Sequence, residues 1–62
     1  MKNPLISVVI PAFNEENFIA KTLESLLNQD FKDFEIIVVD NNSTDQTAEI
    51  AKKFGAILLY EL

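Results

Sequence analysis

Cysteine, histidine and arginine are absent from these 62 residues, glycine occurs once, at Gly55, and proline twice, at Pro4 and Pro11. Without cysteine or histidine there is no disulfide and no Cys/His cluster to hold a structural metal, so packing alone must carry the fold. A chain of this length buries only about 60% of its unfolded surface. The lack of cysteine permits a reducing compartment. Cations are scarce too: five lysines stand against ten acids, for a net charge of −5. No basic stripe exists to meet a phosphate backbone, which excludes nucleic acid as a partner. No run approaches the roughly 18 apolar residues that cross a bilayer. Lys2 followed by a short apolar run ending at Pro11 makes a poor signal peptide, and a cytoplasmic chain is the expectation. The scarcity of glycine and proline leaves nothing resembling a linker, so residues 1–62 read as one continuous packed segment.

What is present is a repeat: two apolar runs, each leading into a polar turn and then a helical pattern. Residues 5–10 are apolar except for Ser7, as in a parallel strand covered on both faces, and Pro11 is expected to stop it. Asn14 is placed to cap a helix with Glu15 and Glu16 in its first turn. Phe18, Ile19, Leu23, Leu26 and Leu27 then supply an apolar face to about Asn28. Residues 34–39, apolar apart from Glu35 and rich in β-branched side chains, form a second strand, with the helix as the crossover that parallel pairing requires. Ser43 and Gln46 have capping-box spacing, predicting a second helix over residues 44–54 with Ala48, Ala51 and Phe54 inward and Gly55 ending it. Residues 56–60 read as a third strand. The order βαβαβ with right-handed crossovers is half of a nucleotide-binding sheet.

In open α/β sheets ligands bind outside the carboxyl ends of the strands, which puts residues 11–15 and 40–45 on one rim. The first turn, Pro-Ala-Phe-Asn-Glu, lacks the glycines of a dinucleotide fingerprint, and neither turn has the glycines and Lys-Ser/Thr pair of a P-loop. Asp40 follows four apolar residues directly, where its desolvation must be offset by a hydrogen bond, a metal or a ligand. Asn41, Asn42, Ser43 and Asp45 also suit helix capping.

The strings VVIPAFNEENFIAKTLESLLNQDF and FEIIVVDNNSTDQTAEIAKKFGA together resemble the amino-terminal segment of the family 2 inverting glycosyltransferases of GT-A fold. The combination carries the resemblance: proline, aromatic, asparagine and glutamate after the first strand; Leu26-Leu27-Asn28-Gln29 at the helix end; and Asp40 with Ser43-Thr44-Asp45 after the second strand. It implies an α/β, three-layer βαβαβ parallel-sheet half of a Rossmann-like nucleotide-sugar-binding domain. The nucleotide contacts it implies are Pro11, Ala12, Phe13 and Glu15 in the first turn and Val39, Asp40 and Asn41 in the second.

An amide or carboxylate at that strand end can accept from the N3–H of a uracil. Asn41 stands where the family commonly has a second aspartate, which leaves UDP-, dTDP- and GDP-sugars as donors. The resemblance further implies a divalent metal, Mg or Mn, in the full-length protein, held by an Asp-x-Asp motif, and a later carboxylate as base. This chain contains neither, and Lys2, Lys21, Lys32, Lys52 and Lys53 are all expected away from the rim. The expectation is part of a nucleotide site from a sugar-transferring parent, which could lie at the cytosolic face of a membrane. A different reading is a non-catalytic module that pairs with another copy or chain through exposed sheet edges.

Overall fold

The computed structural model describes residues 6–61. Strand β1 spans Ile6–Ala12, helix α1 Ile19–Leu27, strand β2 Phe34–Asp40, helix α2 Thr47–Lys53 and strand β3 Ile57–Tyr60. The three strands are parallel in the order β1-β2-β3, with β2 in the centre. The expected βαβαβ parallel architecture is therefore present, although the start of the first strand at Leu5 lies outside the described residues.

Pro11 does not stop β1: it pairs with Val39, and Ala12 pairs with Asp40 beyond it. The ladder explains why. It begins with the Ile6 N–H donating to the Asp33 carbonyl and closes with the Asn41 N–H donating to the Ala12 carbonyl. Alternation along a parallel strand then points the even-numbered residues of β1 toward β2 and turns Pro11 outward. Its missing N–H falls on the unpaired edge, where a strand tolerates proline.

Both helices lie on one face of the sheet. Ala12, Ile36 and Val38 from the strands meet Ile19 and Leu23 of α1 and Ala51 of α2 in a single core, with Ile10, Phe34 and Leu58 packed against it. Burying Leu23 completely contributes about 1.5–3 kcal/mol, and it is the largest side chain with no exposure. The other face has no cover among the described residues. Val9, Ile37 and Ile57 are in register across it, as are Pro11, Val39 and Leu59. Val9 is 58% exposed and Leu59 50%. Of the three layers expected, the described residues form two, and strands read as covered on both sides are covered on one. An apolar strand run records that both faces are apolar, not that one short chain can fill both.

The helices are shorter at their starts than the pattern predicts. Asn14 is not the cap of α1, because its φ of 51° is left-handed, a conformation asparagine accepts more readily than most residues. The Glu15 carbonyl instead accepts the Phe18 and Ile19 N–H groups at 2.9 and 2.8 Å, so residues 15–18 form a turn and the helix starts at Ile19. Phe18 and Leu27, expected on the inward face, are exposed. At α2 the cap is Gln46 and makes no side-chain capping bond, so the box expected from Ser43 and Gln46 is not formed. Gly55 does end that helix region, at φ +82°, which glycine adopts without Cβ strain.

Candidate functional site

The turns after β1 and β2 stand side by side because their strands do. Register places Pro11 beside Val39 and Ala12 beside Asp40. The side chains then divide by face. Ala12 and Asp40 point into the helix-covered side and are buried, at 3% and 2% exposure. Pro11 and Val39 occupy the bare face, and Phe13, Glu15 and Asn41 are exposed above the strand ends. Of the residues singled out by sequence, Pro11, Phe13, Glu15 and Asn41 thus have exposed side chains and Val39 a half-buried one. Ala12 and Asp40 frame them, since the Ala12 carbonyl is taken by the Asn41 N–H at 2.8 Å and the Asp40 carbonyl by the Glu61 N–H at 3.0 Å.

Asp40 is only half satisfied. Its Oδ2 accepts the Ser43 N–H at 3.4 Å, while Oδ1 is buried without a hydrogen-bond partner among the described residues. A buried acceptor in that state costs about 1–3 kcal/mol until a donor reaches it.

The turns are cross-linked by Asn14, Ser43 and Asp45, residues that suit helix capping, together with Glu16 and Thr47. Asn14 N–H donates to Ser43 Oγ at 2.9 Å, Glu15 N–H to Thr47 Oγ1 at 2.8 Å and Glu16 N–H to Asp45 Oδ2 at 3.2 Å. In return, Thr44 N–H donates to Asn14 Oδ1 at 2.9 Å and Gln46 N–H to Glu16 Oε1 at 3.1 Å. Asp45 Oδ1 accepts both the hydroxyl and the N–H of Thr47. Desolvation raises the pKa of Asp45, but the bonds from the Thr47 hydroxyl and amide and the Glu16 amide outweigh it and hold the carboxyl below its usual 3.8. The sequence signal for this lock was the pairing of an asparagine in one turn with Ser, Thr and Asp in the other, residues that bond backbone locally.

A shallow hollow of about 160 Å³ beside the first turn is lined by Pro11, Ala12, Glu15, Phe18, Ile19 and Thr22. The larger hollow, about 380 Å³, lies at the opposite end of the strands among Lys32, Phe34, Phe54 and Gly55, remote from the polar turns. The rim is the better candidate because it carries the exposed polar groups. Among the described residues no three of His, Cys, Asp or Glu stand together as a metal would need. No helix there is long and apolar enough to cross a membrane.

Comparison with known proteins gives this rim its context. The sequence is 47% identical over 49 residues to a GalNAc(5)-diNAcBac-PP-undecaprenol beta-1,3-glucosyltransferase of Campylobacter jejuni, a match covering 79% of this chain and 16% of that protein. It is 45% identical over 50 residues to the glycosyltransferase GlyA of Streptococcus pneumoniae, covering 81% of this chain and 7% of the relative. The fold superposes with a TM-score of 0.83 on the mannosyltransferase PcManGT of Pyrobaculum calidifontis, solved in complex with GDP-Man and Mn2+. That match is at 28% identity and covers 98% of this chain and 20% of the other. It superposes at 0.77 on glucosyl-3-phosphoglycerate synthase of Mycobacterium tuberculosis, solved with Mn2+, uridine diphosphate and glucosyl-3-phosphoglycerate, at 40% identity over 92% of this chain and 21% of that one. The chain therefore spans about a fifth or less of the proteins it matches. The profile of Glycosyl transferase family 2 matches residues 7–61, and the chain belongs to that family.

Proposed function

We propose that residues 1–62 are part of the nucleotide-binding subdomain of a glycosyltransferase that moves a sugar from a nucleotide-diphosphate donor to an acceptor hydroxyl. The observation that carries this reading is the meeting of two polar turns at the carboxyl ends of adjacent parallel strands, with Phe13 and Asn41 exposed above them. That is where an open α/β sheet receives a ligand. Pro11, Ala12, Phe13, Glu15, Val39, Asp40 and Asn41 make the contacts, with the buried Ala12 and Asp40 also holding the frame of the two turns. The Asn41 amide both donates and accepts, matching a base edge that alternates carbonyls with an N–H. GDP-Man and UDP in the neighbouring structures support a nucleotide sugar as partner.

The residues described here do not fit a metal, lacking a cluster of ligands, so no step is assigned to one in this chain. A divalent ion such as the Mn2+ of those neighbours, the diphosphate site and the catalytic base fall to other parts of the polypeptide. Relatives with a lipid-linked substrate, as the name of the Campylobacter enzyme records, support a parent working at the cytosolic face of a membrane.

Amide proton–nitrogen NMR of the labelled chain tests the reading, with UDP, dTDP and GDP added in turn. Shifts confined to Phe13, Glu15, Val39 and Asn41 support it and identify the base. A dispersed spectrum that none of the three changes overturns it.

One observation favours a second reading. The bare face formed by Val9, Ile37, Val39, Ile57 and Leu59 is an apolar surface of the kind that mediates association. A module that self-associates would bury this face, and its sedimentation coefficient would rise with concentration.

A further inference from the structure

Three consecutive N–H groups of the first turn, at Asn14, Glu15 and Glu16, all end on side-chain oxygens of the second turn or the start of α2. Adjacent N–H groups beside a left-handed residue, here Asn14, are the donors with which a backbone turn cradles an anion such as phosphate. In this chain an internal carboxylate stands among their acceptors. We infer that Asp45 is the positioning residue of the nucleotide-contacting turn: it holds Glu16 directly and Glu15 through Thr47, and thereby sets where Phe13 and Glu15 stand. The nucleotide half of this inference rests on the function proposed above; the lock itself does not.

The arrangement works as a relay. Thr47 Oγ1 donates to Asp45 Oδ1, which orients its lone pairs toward the Glu15 N–H, while Asp45 Oδ2 is left for Glu16. Thr47 is fully buried, so its hydroxyl is shielded from competition by water. With Ser43 taking the Asn14 N–H, residues 14–16 have no amide left for a diphosphate. The other charged groups on the surrounding segments are Glu15 and Glu16 in the first turn, Asp40 at the strand end and Glu49 at the start of α2, all acidic, with Lys52 and Lys53 in the last turn of α2. Among the described residues the partners of Asp45 are the hydrogen-bond donors of Glu16 and Thr47.

The test is amide NMR of the full 62-residue chain, first against pH and then against UDP and GDP. As pH falls from 7, the Glu16 and Thr47 amides should move together with one midpoint below 3.8. In D45A the Glu15 and Glu16 amides should lose their hydrogen-bonded shifts and recover them in part on adding formate, which replaces the missing carboxylate. The apparent Kd for UDP or GDP should rise about tenfold, as loss of one orienting hydrogen-bonded group implies.

Unmoved Glu15 and Glu16 amides in D45A overturn the lock. Moved amides with unchanged nucleotide affinity overturn the positioning role and leave the proposed function standing. A wild-type chain that shows the pH response but no nucleotide response rejects the nucleotide reading instead. Should D45A fail to fold, the wild-type pH response and S43A decide: S43A should shift the Asn14 amide and spare Glu16, and a wild-type Glu16 amide indifferent to pH overturns the lock.

Discussion

The two faces of the sheet are built from alternate residues of the same strands and have met different ends. On one, Ile36 and Val38 are sealed under Leu23, Ile19 and Ala51; on the other, Ile37 and Val39 stand in register with Val9 and Leu59 under nothing described here. Both are apolar, so hydropathy alone does not decide which becomes core. The crossovers do. Right-handed connections running in one direction across β1, β2 and β3 carry both helices to the same side. A sheet covered on both faces needs a chain that doubles back, and the matched relatives are more than four times as long.

The sharpest way to break this contrast is Leu23→Ala. Removing a fully buried leucine costs about 2–5 kcal/mol, which is of the order of all the stability a single core of this size supplies. The expected outcome is loss of dispersed amide peaks at room temperature. A cooperative melt left unchanged would mean that the helix layer is not the core.

A smaller effect is expected where α2 hands over to β3. Gly55→Ala puts a Cβ at φ +82°, with nothing within 4 Å to obstruct it, so the penalty is purely conformational. It should lower the stability read from a urea melt by about 1–2 kcal/mol. A neutral result would show that the turn relaxes out of the left-handed region.

Acid acts at the rim, where the helix layer is tied to the strand ends. The folded Asp45 carboxyl has a lowered pKa, so its contribution is complete above 3.8 and is lost as pH falls through the folded value. A thermal melt of wild type should therefore lose stability below about pH 4 more steeply than D45N, in which that group no longer titrates. Parallel curves would remove Asp45 from the balance.

The smallest effect belongs to the bare face. Val9→Thr or Leu59→Thr should change the stability of the monomer by no more than about 0.5 kcal/mol, because both side chains are already half in water. Fluorescence of a dye that binds apolar surface should fall in the double variant. A large destabilisation would show that something covers this face in solution, and sedimentation would tell whether it is a second copy.

The element order and element types were legible because each rests on a strong local pattern: β-branched runs at β1 and β2, apolar spacing at Ile19 and Leu23, and a lone glycine after α2. Helix starts were not. Asn14, Ser43 and Asp45 are residues that cap helices in most settings, and here the two turns lie close enough for each to use the other's side chains. That competition between a local cap and a contact about 30 residues away is invisible until the strands are paired. The same applies to Asp40: its place at a strand end could be read directly, whereas its half-satisfied carboxylate depends on how the following turn closes over it. Covering of the second face could not be read at all, since it depends on chain direction rather than composition.

Pro11 has a further consequence for how this sheet can grow. A strand laid against the outer edge of β1 finds amide donors at Ser7 and Val9, then none at Pro11. Pairing lapses one step below the polar turns, and the newcomer is free to diverge there. One imino acid thus leaves a notch at the rim of the sheet and keeps its mouth from being zipped shut.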